Sequence, residues 1–200
     1  MMNEGARLGA EAARRLAQTD LFEFEPGLTD AEFARIEREY GFQFADDHRA
    51  FLAAGLPVNV APEDGQTWSK PWPEWRSGDP DSLRNQLGWP VEGVLLSIEH
   101  NRFWYQAWGE RPADDAAALA TARYCLEKVP VLVPVYAHRY VPAGQGSFGH
   151  PVLSIWQTDI IYYGEDLVDY THREFDETRG DVDESWNPRA ATATFWRDLL

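Results

Sequence analysis

Two hundred residues suit one domain with a proper core and are short for two. A hydrophobic share of 44% and a charged share of 26% are globular values, and a formal net charge of −15 excludes nucleic acid and anionic membrane surfaces as natural partners. Cys125 is the one cysteine in the sequence, so no intramolecular disulfide scaffold is available.

The N-terminal stretch mixes Glu and Arg with Ala and lacks an unbroken apolar core, unlike a secretory signal. With no apolar run long enough for a membrane span, the expected location is the cytoplasm. Leu8, Ala12 and Leu16 recur at helical spacing and predict a short helix over 6–18. Pro26 and Gly27 break that pattern. In "LTDAEFARIEREYGF", Thr29 and Glu32 make a capping box. Phe33, Ile36 and Tyr40 share one face, and Gly41 suits a left-handed stop. "ADDHRAFLAAG" predicts a second helix, with Asp46 and Asp47 at its positive end, Phe51 and Leu52 inside, and Gly55 as its stop. So short a connection predicts an αα-hairpin.

Residues 56–79 read as a loop carrying Trp68, Trp72 and Trp75. Asp79-Pro80 opens a short helix, "DPDSLRNQL". "VEGVLLSIE" is expected to be a strand, and "RFWYQAW" a second, aromatic one after a turn at His100-Asn101. "ADDAAALATARYCLEK" predicts an inserted helix with Leu119, Ala122, Arg123 and Leu126 on one side and Cys125 near its buried edge. The prolines within "VPVLVPVYAHRYVP" argue for an edge strand or one interrupted by bends. A Gly-rich loop, "AGQGSFGH", precedes two strands joined at Gln157-Thr158-Asp159. "EDLVDYTHREF" is the closing helix, and "DETRGDVDESWNP" starts an acidic tail over 176–200 that ends in a short amphipathic segment. Sequential strands with short turns and helices at both ends predict an α+β fold: N-terminal helices, a mostly antiparallel sheet with an inserted helix, and a closing helix.

Chemistry-bearing patterns are sparse. His138, His150, His100 and Asp159 supply metal-ligand atoms, but none shows a paired-ligand spacing. A hydrolase built on His138, Asp159 and His150 is therefore the weaker of two readings, and His138 is expected to end a strand at an aromatic rim. Cys125 has no histidine near it in sequence, no nucleophile elbow is present, and the glycines of 144–149 lack the following helix of a dinucleotide loop. No metal or other cofactor is expected. The aromatic sets are richer. Trp72, Trp75, Arg76, Trp104, Tyr105, Trp108 and Arg111, with His138, Arg139, Tyr140 and Asp159, form a candidate partner surface, because Trp, Tyr and Arg are the usual anchors of interfaces.

The opening helices carry a family resemblance. Leu28, Thr29, Gly41, Phe42, Phe51 and Leu52 follow the outline of the SUKH superfamily, which includes bacterial toxin-immunity proteins and a yeast regulator of cell-wall synthesis. "IIYYGEDLVDYTHREF" resembles that family's last strand and closing helix. Phe44-Ala45 stands where the family usually has Leu-Pro, and Gly55-Leu56-Pro57 replaces its usual Asn-Gly. The resemblance spans roughly 20–175 of a single domain. It implies a non-enzymatic binding scaffold, and with the acidity it points to an immunity-type protein that captures a basic toxin domain. A regulatory module or a homodimer would use the same aromatics.

Overall fold

The computed structural model describes residues 3–60, 70–175 and 193–200. Among the described residues, seven helices and two antiparallel sheets make an α+β fold. Helix α1 (Glu4–Ala17) leads into β1 (Glu23–Glu25), then α2 (Asp30–Tyr40) and α3 (Asp46–Ala54). Strand β2 (Leu56–Val58) returns to pair with β1. Next come α4 (Pro80–Asn101), a 3₁₀ turn (Gln106–Trp108) and α5 (Asp115–Leu126). The strands β3 (Leu132–Tyr136), β4 (Arg139–Pro142), β5 (Val152–Trp156) and β6 (Asp159–Gly164) form a simple antiparallel meander. Helices α6 (Leu167–Phe175) and α7 (Thr194–Arg197) complete the described chain. Among the described residues no helix is long and apolar enough to cross a membrane.

The four-stranded sheet is covered on both faces. Val133, Val135, Val141 and Val152 face one core with residues of α1, α2, α3 and α6. Leu132, Tyr140, Leu153 and Ile155 face a second core with α4, α5 and α7. Alternate residues along each strand thus meet different helices. This explains why the strands read as continuous apolar runs rather than as an alternation. Pro134 lies on β3, an edge strand, where a missing N–H removes nothing from the sheet interior.

Local signals set several boundaries. Thr29 and Glu32 form the reciprocal capping box, and Gly41 ends α2 at φ 72°. The two strands expected over 91–99 and 102–108 do not form. The first is the second half of α4, whose Val94, Leu95 and Ile98 bury one helical face. "RFWYQAW" becomes a loop with a 3₁₀ turn. Pro90 and the β-branched valines mimic strand punctuation, but the helix runs through the proline. Helix α3 also departs from the expected hairpin with α2: it lies along α1.

That contact depends on small residues. A Cβ on Gly9 would lie 2.0 Å from the Asp47 carbonyl oxygen and 2.7 Å from the Phe51 nitrogen. One turn earlier, a Cβ on Gly5 would lie 2.8 Å from the Asp46 Cβ. The start of α3 also clasps the glycine loop: Gly146 N–H donates to Asp46 at 2.9 Å, and Gly149 N–H to Asp47 at 2.8 Å. Behind the clasp His48 is buried against the ring of Phe44. Burial pushes the Asp47 carboxyl up to about 6 and the His48 imidazole down to about 3.

Gly9→Ala is expected to lower the free energy of unfolding by at least about 2 kcal/mol in urea titration, because the added methyl meets backbone rather than a flexible side chain. A stability unchanged within error would disprove the close approach. The two buried titrating groups act with opposite signs. Asp47, raised from 3.8 to about 6, contributes stability that is present below 3.8 and lost as pH rises through 6. His48, lowered from 6.5 to about 3, contributes stability that is present above 6.5 and lost as pH falls toward 3. Between 3.8 and 6 the slopes oppose each other. Asp47→Asn should therefore lose stability relative to the parent chain as pH falls from 6 to 3.8, measured as the unfolding midpoint across that range.

Candidate functional site

Two hairpin turns at one end of the meander build the site. Both use two central residues, and both place a non-glycine residue in the left-handed region: Ala137 at φ 47° and Gln157 at φ 57°. Each is held from outside. Ala137 N–H donates to the Pro71 carbonyl at 2.7 Å. The Gln157 backbone lies against α4, where a Cβ on Gly93 would come within 2.9 Å of the Gln157 Cα. Only glycine lets helix and turn approach so closely. The turns are tied to each other by Ile155 N–H donating to the His138 carbonyl at 3.0 Å.

Helix α4 crosses this end of the sheet and carries Pro90 in its interior. A proline has no N–H for the carbonyl four residues earlier, which here belongs to Gln86. The Tyr140 hydroxyl, reaching over from β4, donates to that carbonyl at 3.0 Å. The backbone acceptor freed by the proline is thus satisfied by the sheet, and α4 is tied to β4 at the same time. The phenol is deeply buried, and burial drives its pKa upward.

The result is a cleft of about 320 Å³ lined by Asn85, Gln86, Trp89, Ala137, His138, Tyr140 and Trp156. Trp89 and Trp156 remain 43% and 57% exposed although their rings stand 5.7 Å apart at 57°. The His138 ring lies edge-on to Trp156 at 6.4 Å. Its Nε2 faces the Arg139 guanidinium, which can only donate. Burial, and after it the Arg139 charge, hold its pKa below the usual histidine value. Arg139 itself is turned inward, with Glu174 at 3.2 Å, the Ser154 hydroxyl at 3.0 Å, and the Tyr163 ring 3.7 Å below.

The residues expected at a partner surface have different fates. Trp72 and Trp75 are core, at 2% and 1% exposure. Trp72 meets Phe22 and Tyr136, and Trp75 meets Phe44 and Tyr40. Apolar burial of two such rings outweighs any role in solvent. Trp68 lies outside the described residues. Arg76 is an internal strut, at 2.6 Å from Glu32 and 2.7 Å from Glu25, and also donates to the carbonyls of Pro26 and Gly27. Its guanidinium holds the Glu32 carboxyl down at about 2. Trp104, Tyr105 and Trp108 are occupied by the chain's own C-terminal turn. Trp108 stacks on Phe195 at 5.6 Å, Tyr105 donates to Asp198 at 2.6 Å, and Trp104 packs on Trp108. Arg111 pairs with Asp115 at 2.6 Å near the start of α5.

His138 and Tyr140 line the cleft, Arg139 stands behind it, and Asp159 is exposed opposite Trp156 in the β5–β6 register. Among the described residues no three His, Cys, Asp or Glu side chains come together as a metal site. Trp89 and Trp156, the two most exposed parts of the site, were not in the expected set. Reading 80–101 as one helix would have placed Trp89 and Leu96 on the same face, seven residues apart. Comparison with family models, characterised proteins and solved structures finds no match for this chain.

Tyr140→Phe should cost about 1–3 kcal/mol by leaving the Gln86 carbonyl buried and unpaired. The same change in a Pro90→Ala background, where the helix supplies its own N–H, should cost much less. Equal costs in the two backgrounds, read from denaturant midpoints, would show that the hydroxyl does not serve the proline gap.

Proposed function

We propose that this chain is a non-enzymatic protein-binding module, of the immunity type, that captures a basic partner such as a toxin domain. The observation that supports this most is how its cations are used. Arg14 and Arg15 close on Glu11, Arg49 on Asp30 and Glu37, Arg76 on Glu25 and Glu32, and Arg139 on Glu174. Arg49, Arg76 and Arg139 brace junctions of the fold, and Arg14 and Arg15 are offset by Glu11 within α1. The remaining carboxylates, 33 against 18 Lys and Arg in the whole chain, set the field that a partner meets. Such a field steers cationic proteins toward the surface and repels polyanions. The SUKH-like order of the opening helices is in keeping with a scaffold of this kind. The cleft between the hairpin turns offers anchoring rings with no internal occupant.

In a pull-down from the native host, low salt should retain a basic protein and high salt should release it. For the isolated pair, the association rate should fall at least about tenfold from low to physiological ionic strength. Recovery of acidic proteins alone, of none, or of a partner whose association ignores salt would overturn the electrostatic reading.

A further inference from the structure

We infer that the Trp89–Trp156 cleft is the anchoring point of the interface and that it receives an arginine or lysine from an apolar–basic segment of the partner. The inference rests on the protein-binding reading above and locates it on the molecule.

Four observations carry it. First, two large rings stand exposed side by side, on two different elements. Each is fixed by its backbone: Trp89 by the proline-containing turn of α4, and Trp156 by the hairpin turn lodged against Gly93. Exposed tryptophans held in place lose little freedom on binding, which is the condition for a strong anchor. Second, the charges around the rings are negative. Asp159 is exposed and pairs with Trp156 on the same face of the hairpin, and Glu92 is exposed one turn beyond Trp89, where it shares its charge with Arg123 of α5 at 3.9 Å in a solvent-facing pair. Third, the cation directly behind the cleft, Arg139, is buried and paired with Glu174, and no Lys or Arg is among the residues that line the cleft. The cleft therefore offers π faces lined by no cation, with the Asp159 carboxylate beside them, and a guanidinium or ammonium over an indole face is attracted by both. Fourth, the exposed face of α4 continues to Leu96, which is 46% exposed. Trp89, Glu92, Leu96 and Glu99 alternate apolar and acidic character along one helical stripe. The complementary segment carries basic and apolar residues in alternation. An acidic segment is excluded by the same carboxylates.

The test uses the full-length protein and a short synthetic peptide alternating arginine with leucine, with its glutamate–leucine counterpart as control. The parent chain should bind the arginine peptide and not the glutamate one. Trp89→Ala and Trp156→Ala should each weaken binding at least about tenfold, as for anchor residues at interfaces. Trp156→Phe, which keeps a π face, should retain most of the affinity. Glu92→Lys with Asp159→Lys should weaken binding too. All of these side chains are exposed, and an unchanged unfolding midpoint verifies that the variants fold. Unaltered affinity in both alanine variants would overturn the cleft while leaving capture of a basic partner intact. Equal binding of the glutamate peptide, absence of binding by the parent chain, or preference for a neutral oligosaccharide would overturn the cation assignment. So would a change in oligomeric state as the sole effect of the tryptophan variants, which would mark the cleft as a contact between copies. The host pull-down decides the broader reading independently, since it can succeed with either alanine variant as bait.

Discussion

A four-stranded sheet covered by helices over most of both faces imposes a demand on the elements around it. Most residues of β3, β4 and β5 find a helix on one side or the other, so two separate cores form where one would serve a sheet with a solvated face. On the first side the demand is met by bringing α1 close to α3 through Gly5 and Gly9. On the second it is met by a single long helix, α4, laid across the turn end of the meander. Its proline would leave a buried acceptor unpaired, and the sheet itself supplies the donor through Tyr140. Covering the sheet and forming the cleft are thus one structural event: the helix that buries Leu153 and Ile155 also brings Trp89 to Trp156.

Arginine has an equally consistent role. Arg76 joins the loop after β2 to the start of α2, Arg49 joins α3 to α2, and Arg139 joins β4 to α6. These contacts are partly buried and multidentate, which makes them worth more than exposed pairs. They leave the excess of carboxylates to face outward. Arg49, Arg76 and Arg139 thus sit where segments meet.

Much of the fold is legible in the residues themselves. The capping box at Thr29, the left-handed stop at Gly41, the proline-tolerant edge strand and the closing helix all follow from local chemistry, and local chemistry prevailed there. The failures are equally physical. In 91–101, valines and isoleucine next to Pro90 and Gly88 satisfy strand criteria, and only a tertiary donor makes the helical alternative affordable. The pairing of α3 with α1 depends on a small-residue stripe whose partner no local pattern announces. The same limit applied to the site. Tryptophan clusters mark places where large rings are used, without telling burial from display. Trp72 and Trp75 lie in the densest cluster and are core, whereas Trp89 and Trp156 stand alone in sequence and meet on the surface.

The two hairpin turns that frame the cleft have a consequence for how such a protein can diversify. Their backbones are secured from behind, by Pro71, by Gly93 and by each other, while the side chains at their tips take little part in either core. Variation at Trp156, His138 and Asp159, and at Trp89 and Glu92 on the facing helix, changes the shape and charge of the cleft without disturbing the sheet beneath. The chemistry of this surface can therefore change at a few positions while the scaffold is inherited unchanged.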